Sequence, residues 1–134
     1  MVDTAARGAG LKVALVDDEE LFRETLAKLL RRRGLEVATA ADGAAGVDLV
    51  RAMAPDVVVL DLRMPGMDGI ETLRRIRGHR PDTRVVMLTG HGSVEAGVEA
   101  LRAEAFDFLL KPVSPDQLVE VILAAVAAGR DAGS

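Results

Sequence analysis

Two hydrophobic patterns alternate along the chain. Five short apolar runs, at 11–16, 35–40, 57–60, 84–88 and 106–110, are separated by longer stretches in which apolar residues recur every three or four positions. Runs such as VVVL and VVML show no polar alternation, which marks strands covered on both faces, as in a parallel sheet. In the first long stretch Leu21, Phe22, Leu26, Leu29 and Leu30 fall on one helical face. Asp68-Gly69-Ile70-Glu71 and Ser114-Pro115-Asp116-Gln117 read as capping boxes, the second with proline at the first helical position, and Asp42 and Ser93 are further helix caps. Five strand–helix units in this order predict an α/β domain: a doubly wound, five-stranded parallel sheet with right-handed crossovers and strand order 2-1-3-4-5. In such a sheet ligands bind outside the carboxyl ends of strands 1 and 3, at the switch point.

Four islands stand at the ends of those runs: VDDE at 16–19, LDLRMPGMDG at 60–69, LTG at 88–90 and KP at 111–112. Parallel strands bring their carboxyl ends to one edge. Asp17, Asp18 and Asp61 should therefore meet there with Thr89 and Lys111. Two like charges about 5 Å apart repel by roughly 3 kcal/mol at an effective dielectric of 20, so folding alone does not favour such a grouping. A hard divalent ion with oxygen ligands, Mg²⁺ in particular, removes the penalty and also suits a phosphoryl group. Taken alone, Asp17-Asp18 could simply cap a helix. Lys111 alone could be a solvated surface lysine, although it follows the apolar FDFLL and precedes proline.

Composition narrows the choice. The chain has 134 residues, no cysteine, three phenylalanines, no Trp or Tyr, and a net charge of −4. That length makes one domain. The charge argues against direct nucleic-acid binding and the shortage of aromatics against a base-stacking platform. No disulfide framework or thiolate metal site is available. The MVDTAARGAG start lacks the apolar core of a signal peptide, and no run approaches the roughly 18 residues of a membrane span. The expected organisation is a tail at 1–10, a domain at 11–128 and a tail or linker stub at 129–134, in a cytoplasmic protein.

On the four islands together, the chain resembles the receiver domain of two-component response regulators, over 11 to about 128. The stretch TGHGSVEAGVEALRA resembles the branch that carries AAA+ or helix-turn-helix output domains. The resemblance implies a flavodoxin-like (βα)5 fold. It makes Asp61 the phosphoacceptor, served by a sensor histidine kinase or phosphotransfer protein. Asp18, Asp61 and the backbone carbonyl of Arg63 would ligate Mg²⁺, with Asp17 acting largely through a metal-bound water. Mg²⁺ and Lys111 would neutralise the phosphoryl oxygens, Lys111 being aimed inward by a cis Lys111-Pro112 bond, and Thr89 would donate a hydrogen bond to one of them. Thr89 and Phe108 would be the switch pair. Arg63 and His91 occupy positions that tune phosphate lifetime in the family, or are plain solvent-facing side chains. His79 reads as an exposed loop residue, and Met64 and Met67 as packing residues.

Two further expectations concern the surface. In LVEVILAAVAA, at 118–128, only Glu120 is polar, so this last helix is either covered or awaits a partner. A homodimer or output-domain contact through the fourth helix, fifth strand and last helix is the expectation. Glu104 stands where the family usually has glycine, at about 1 kcal/mol if its backbone is left-handed. The competing functions are an adaptor on the same fold that is never phosphorylated and a small Mg²⁺-dependent phosphatase. The complete acid, Thr and Lys set argues against the first. The lack of a long lid insertion and of a DxD arrangement argues against the second.

Overall fold

The computed structural model describes residues 10–132, with side chains to Gly129. Its elements are β1 (Lys12–Val16), α1 (Glu20–Arg32), β2 (Glu36–Ala40), α2 (Gly43–Met53), β3 (Val57–Leu60), α3 (Gly69–His79), β4 (Arg84–Thr89), α4 (Val94–Arg102), β5 (Asp107–Leu110) and α5 (Pro115–Ala132). All strand pairs are parallel and the order is β2-β1-β3-β4-β5. The expected doubly wound sheet is thus present. The tail expected at 1–10 lies, apart from Gly10, outside the described residues, as do 133–134. The last helix continues past 128 to Ala132.

Strict alternation along the central strands divides the core. Val13, Leu15, Val57, Val59, Val86 and Leu88 pack with Leu26, Leu30, Leu118 and Ile122 of α1 and α5. Ala14, Val16, Val58, Leu60, Val85 and Met87 pack on the other face with Val47, Val50, Leu73, Ile76 and Ala100 of α2, α3 and α4. Both faces of β3 are covered, which explains why VVVL shows no polar position. The two sheet edges, β2 and β5, are only partly covered.

The caps form as the sequence predicts. Asp42 accepts from the Ala45 N–H, Asp68 from Glu71, Ser93 from Ala96 and Ser114 from Gln117, all at 2.8–3.1 Å. The reciprocal half of the Asp68 box does not form, because Glu71 turns to Arg75 one helical turn on, at 3.0 Å. Leu21 departs from the expected core face of α1: it is 83% exposed. Nine residues, about two and a half turns, separate it from Leu30, so it lies on the opposite side of the helix from the buried face. Ala27 takes a buried place on that face instead.

The phenylalanines near β5 do not follow simple strand alternation. Phe106 and Phe108 share strand parity, yet Phe106 packs with the α1/α5 core and Phe108 with the opposite core. The strand begins at Asp107, so alternation does not reach Phe106. The last helix buries Leu118, Val119, Ile122, Ala125 and Val126, which accounts for most of its apolar character. Glu104 has φ 71, the left-handed backbone that its position suggested.

Candidate functional site

Asp17 and Asp61 are the residues immediately after β1 and β3, neighbouring strands whose registers end together at Val16 and Leu60. The Asp61 N–H donates to the Val16 carbonyl at 3.0 Å, fixing the two strand ends side by side. Thr89 closes β4, and the Lys111 N–H donates to its carbonyl at 2.9 Å, which brings the end of β5 to the same edge. Asp17, Asp61 and Thr89 are 1%, 2% and 0% exposed. The site therefore lies at the switch point, as expected.

Gly69 holds the floor of the loop that follows β3. Its N–H donates to the Leu62 carbonyl at 2.7 Å, and a Cβ there would run into the Asp61 carbonyl and come within 2.6 Å of the Leu62 Cα. Helix α3 can begin this close to β3 only with glycine at that place. Met64 is buried and Met67 half-buried against the adjoining core, so both are packing residues, as expected. Arg63, His91 and His79 are exposed.

The acids group differently from the expectation. One carboxylate oxygen each from Asp17, Glu19 and Asp61 lie within 4.8 Å of one another. Asp18 is exposed and outside that group. The reason is local: the Glu19 N–H donates to Asp17 Oδ1 at 2.8 Å, an Asx-type turn that starts α1 and brings residue 19, rather than 18, back over the strand end. The i, i+2 acid pair in VDDE was the available signal for Glu19.

Lys111 reaches Asp17 and Glu19 but makes no hydrogen bond to Asp61. Its Nζ donates to Asp17 Oδ2 at 2.9 Å and to Glu19 Oε1 at 3.1 Å, and it stands 3.9 Å from the centroid of the Phe22 ring. The Lys111-Pro112 peptide is cis. Asp61 Oδ1, in contrast, is buried with no hydrogen-bond partner. Thr89 Oγ1 accepts the His91 N–H at 3.1 Å, so the hydroxyl proton is what it can offer elsewhere.

The electrostatics follow from burial and crowding. Burial raises the Asp17 carboxyl above its ordinary value; hydrogen bonds from Lys111 and the Glu19 N–H oppose the rise, and the Asp61 charge adds to it. Burial acts to lower Lys111, but the hydrogen bonds to Asp17 and Glu19 outweigh it and leave the ammonium raised. Three carboxylates face one ammonium, and one buried carboxylate oxygen is unpaired. An all-oxygen donor set with this surplus of negative charge fits a hard divalent cation.

A family model described as "Response regulator receiver domain" matches residues 13–123. The chain is 40% identical over 107 residues to the regulatory protein AtoC of Escherichia coli, covering 80% of this chain and 23% of AtoC. It is 41% identical over 123 residues to the C4-dicarboxylate transport transcriptional regulatory protein DctD of Pseudomonas aeruginosa, covering 91% of this chain and 26% of that protein. It thus spans about a quarter of each of these relatives. Among solved structures, a CheY-like receiver domain protein from Methanospirillum hungatei superposes with TM-score 0.87 at 28% identity, covering 91% of this chain and 98% of that one. NtrX from Brucella abortus superposes with TM-score 0.84 at 34% identity, covering 90% of this chain and 28% of that one.

Proposed function

The chain belongs to the response regulator receiver domain family, and from that premise we propose that Asp61 accepts a phosphoryl group from a phosphohistidine on a sensor kinase or phosphotransfer protein. The supporting observation is the pairing of a buried, unpartnered Asp61 oxygen with an acid cluster and an ammonium at the switch point. An Asp61 oxygen bonds to phosphorus as the P–N bond breaks, its electron pair returning to the imidazole. Little covalent chemistry is asked of the protein beyond positioning and charge neutralisation. Thr89 would donate its hydroxyl proton to one phosphoryl oxygen and Lys111 would pair with another.

Asp61 and Asp17 would hold Mg²⁺ with the Arg63 carbonyl, joined by Asp18 once its exposed side chain turns inward. When bound, the ion supplies positive charge to the transferring group. The signal would pass through Thr89 and Phe108. The Phe108 ring is half-buried and lies close against α4, near enough that a Cβ on Gly97 would stand 3.8 Å from it. Thr89 and Phe108 stand on neighbouring paired strands, so movement of Thr89 toward the phosphate would be passed to Phe108 across the β4–β5 pairing. The receiving surface is the α4-β5-α5 face, for an output domain or a second copy. Val94, Val98 and Leu101 of α4 and Leu110 of β5 are exposed there at 81%, 43%, 54% and 57%, while the outward side of α5 carries Glu120, Ala124 and Ala127. Slow hydrolysis of its own phosphate and a cytoplasmic setting, where sensor kinases present phosphohistidine, belong to the same proposal.

The test is intact mass after acetyl phosphate treatment, with Mg²⁺ or with EDTA. A Mg²⁺-dependent gain of one phosphoryl group, absent in Asp61→Asn, is expected. Persistent label in Asp61→Asn moves the acceptor elsewhere, and no gain in the wild type favours the binding-only adaptor.

A further inference from the structure

We infer that Glu19 and Phe22 form a resting seat that holds the Lys111 ammonium away from the acceptor until phosphoryl transfer, making Glu19 a positioning residue for that reaction. The inference rests on the phosphoacceptor reading above and adds a step to it. An ammonium usually settles where the negative charge is densest. Here it hydrogen-bonds Asp17 and Glu19 and lies over the Phe22 face, while the buried Asp61 Oδ1 has no partner. Asp17 alone could hold one of the three ammonium protons. Glu19 and the ring add two further attractions from the α1 side, and neither belongs to the strand edge that carries Asp61.

The seat is built by the start of α1. The Asx-type turn on Asp17 lifts Glu19 into reach, and Phe22 follows one turn later on the same side. Lys111 has a side-chain exposure of 12% in this position, against 58% for Glu19, so the ammonium is largely enclosed while its outer partner faces water. Such an arrangement is weak enough to release. A phosphoryl group on Asp61 brings nearly two negative charges within the reach of the same side chain, and those charges compete directly with Glu19. The lysine would exchange one anionic partner for another. The seat thus sets a threshold: part of the attraction gained by pairing with phosphate is offset by leaving Glu19 and the ring.

Two measurements separate this inference from the reading beneath it. The chain has three lysines, Lys12, Lys28 and Lys111, so ¹³C-lysine labelling gives a readily assigned NMR spectrum. In the metal-free protein the Lys111 ε-methylene protons should lie upfield because of the Phe22 ring current. Phe22→Leu should abolish that displacement, and Mg²⁺ with beryllofluoride, a phosphoryl mimic, should reduce it in the wild type. The second measurement is the rate of phosphorylation by acetyl phosphate at saturating Mg²⁺, where an Asp61 oxygen bonds to phosphorus as the acyl-phosphate P–O bond breaks and its electron pair leaves with acetate. Glu19→Gln and Phe22→Leu should each raise that rate by roughly two- to fivefold, the weight of one partly exposed ion pair or cation–π contact. An unchanged or lower rate in both variants, or a Lys111 signal without upfield displacement, overturns the seat. A wild type that takes up no phosphoryl group but keeps the displaced signal refutes the phosphoacceptor reading and with it the positioning role of Glu19, and leaves only the Lys111–Phe22 contact standing.

Discussion

Neutralising Asp61 should stabilise the fold, which is the opposite of what most buried substitutions do. Asp61 is 2% exposed, and one of its oxygens lies within 4.8 Å of carboxylate oxygens of Asp17 and Glu19. A pair of charges at that separation repels by roughly 3 kcal/mol at an effective dielectric of 20. Lys111 offsets much of this, and Glu19 is partly in water, so a net cost of about 1–2 kcal/mol is reasonable. Asp61→Asn keeps the shape, removes the charge and adds an amide donor facing two carboxylates. In EDTA it should melt above wild type by roughly 3–8 °C. Added Mg²⁺ should raise the wild-type melting temperature by relieving the same repulsion and should do much less in the variant. Raising the salt concentration in EDTA should narrow the gap only partly, because the charges are buried. Calorimetry of both proteins in EDTA and in Mg²⁺ decides it. An Asn variant that melts at or below wild type in EDTA, or that responds to Mg²⁺ as wild type does, would show that the crowded acids do not dominate this site.

The remaining predictions address the frame around the site. Gly69→Ala places a methyl group against the Asp61 carbonyl and Leu62 backbone, and should cost about 1–3 kcal/mol in urea unfolding while slowing labelling of Asp61. Glu104→Gly relieves a backbone at φ 71 and loses only a 3.6 Å contact between Arg77 and a Glu104 side chain that is 73% exposed; a gain of about 1 kcal/mol is expected by the same assay, and a loss would mean that the ion pair outweighs the strain. Lys111 is raised above 10.5 in the folded chain, so its contribution to stability is present below that pH and is lost as the pH rises through the folded value. Urea midpoints on either side of about pH 10.5 should show this loss in wild type and not in Lys111→Met. Mg²⁺ should still stabilise Asp18→Ala, but less than wild type, if Asp18 turns inward to the ion; an equal response would remove it from the ligand set.

Most of the fold was legible because its signals are periodic and local. The unbroken VVVL and VVML runs could belong only to covered strands, and four helix starts carried a side-chain cap that the structure forms. Asp17, Asp61, Thr89 and Lys111 were legible for the same reason: each sits at or just past the end of an apolar run, and parallel order puts those ends at one edge. What the sequence could not supply was geometry after the strands stop. Strand parity predicts nothing beyond Val16, where an Asx-type turn decides that Glu19 rather than Asp18 approaches the cluster. It likewise fails at Phe106, one residue outside β5. Leu21 lies about two and a half turns before Leu30, on the opposite side of α1, so the stripe drawn from 21 to 30 was too wide to be one buried face.

Charge balance ties the site to the surface. At rest, three clustered carboxylates against one ammonium leave a surplus of two negative charges in a mostly buried space. A divalent cation cancels that surplus, and phosphorylation, which replaces the single Asp61 charge with nearly two on the phosphoryl group, then adds about one negative charge. The site can be neutral in the metal-loaded state and negative in the phosphorylated one, with Lys111 and Thr89 the groups able to answer the new charge. Both are anchored on the β4–β5 side through the hydrogen bond from Lys111 N–H to the Thr89 carbonyl, 2.9 Å long. The β1–β3 side is packed by strands buried over Val13–Val16 and Val57–Leu60 and has little freedom. The edge strand β5, the Phe108 ring and α4 are only partly covered, and α4 already exposes Val94, Val98 and Leu101. A charge change at Asp61 should therefore be expressed where packing is thinnest, and hydrogen exchange should loosen or tighten α4 and β5 on phosphorylation while β1 and β3 stay unchanged. Equal changes across all five strands would mean that the response is global stabilisation rather than a switch.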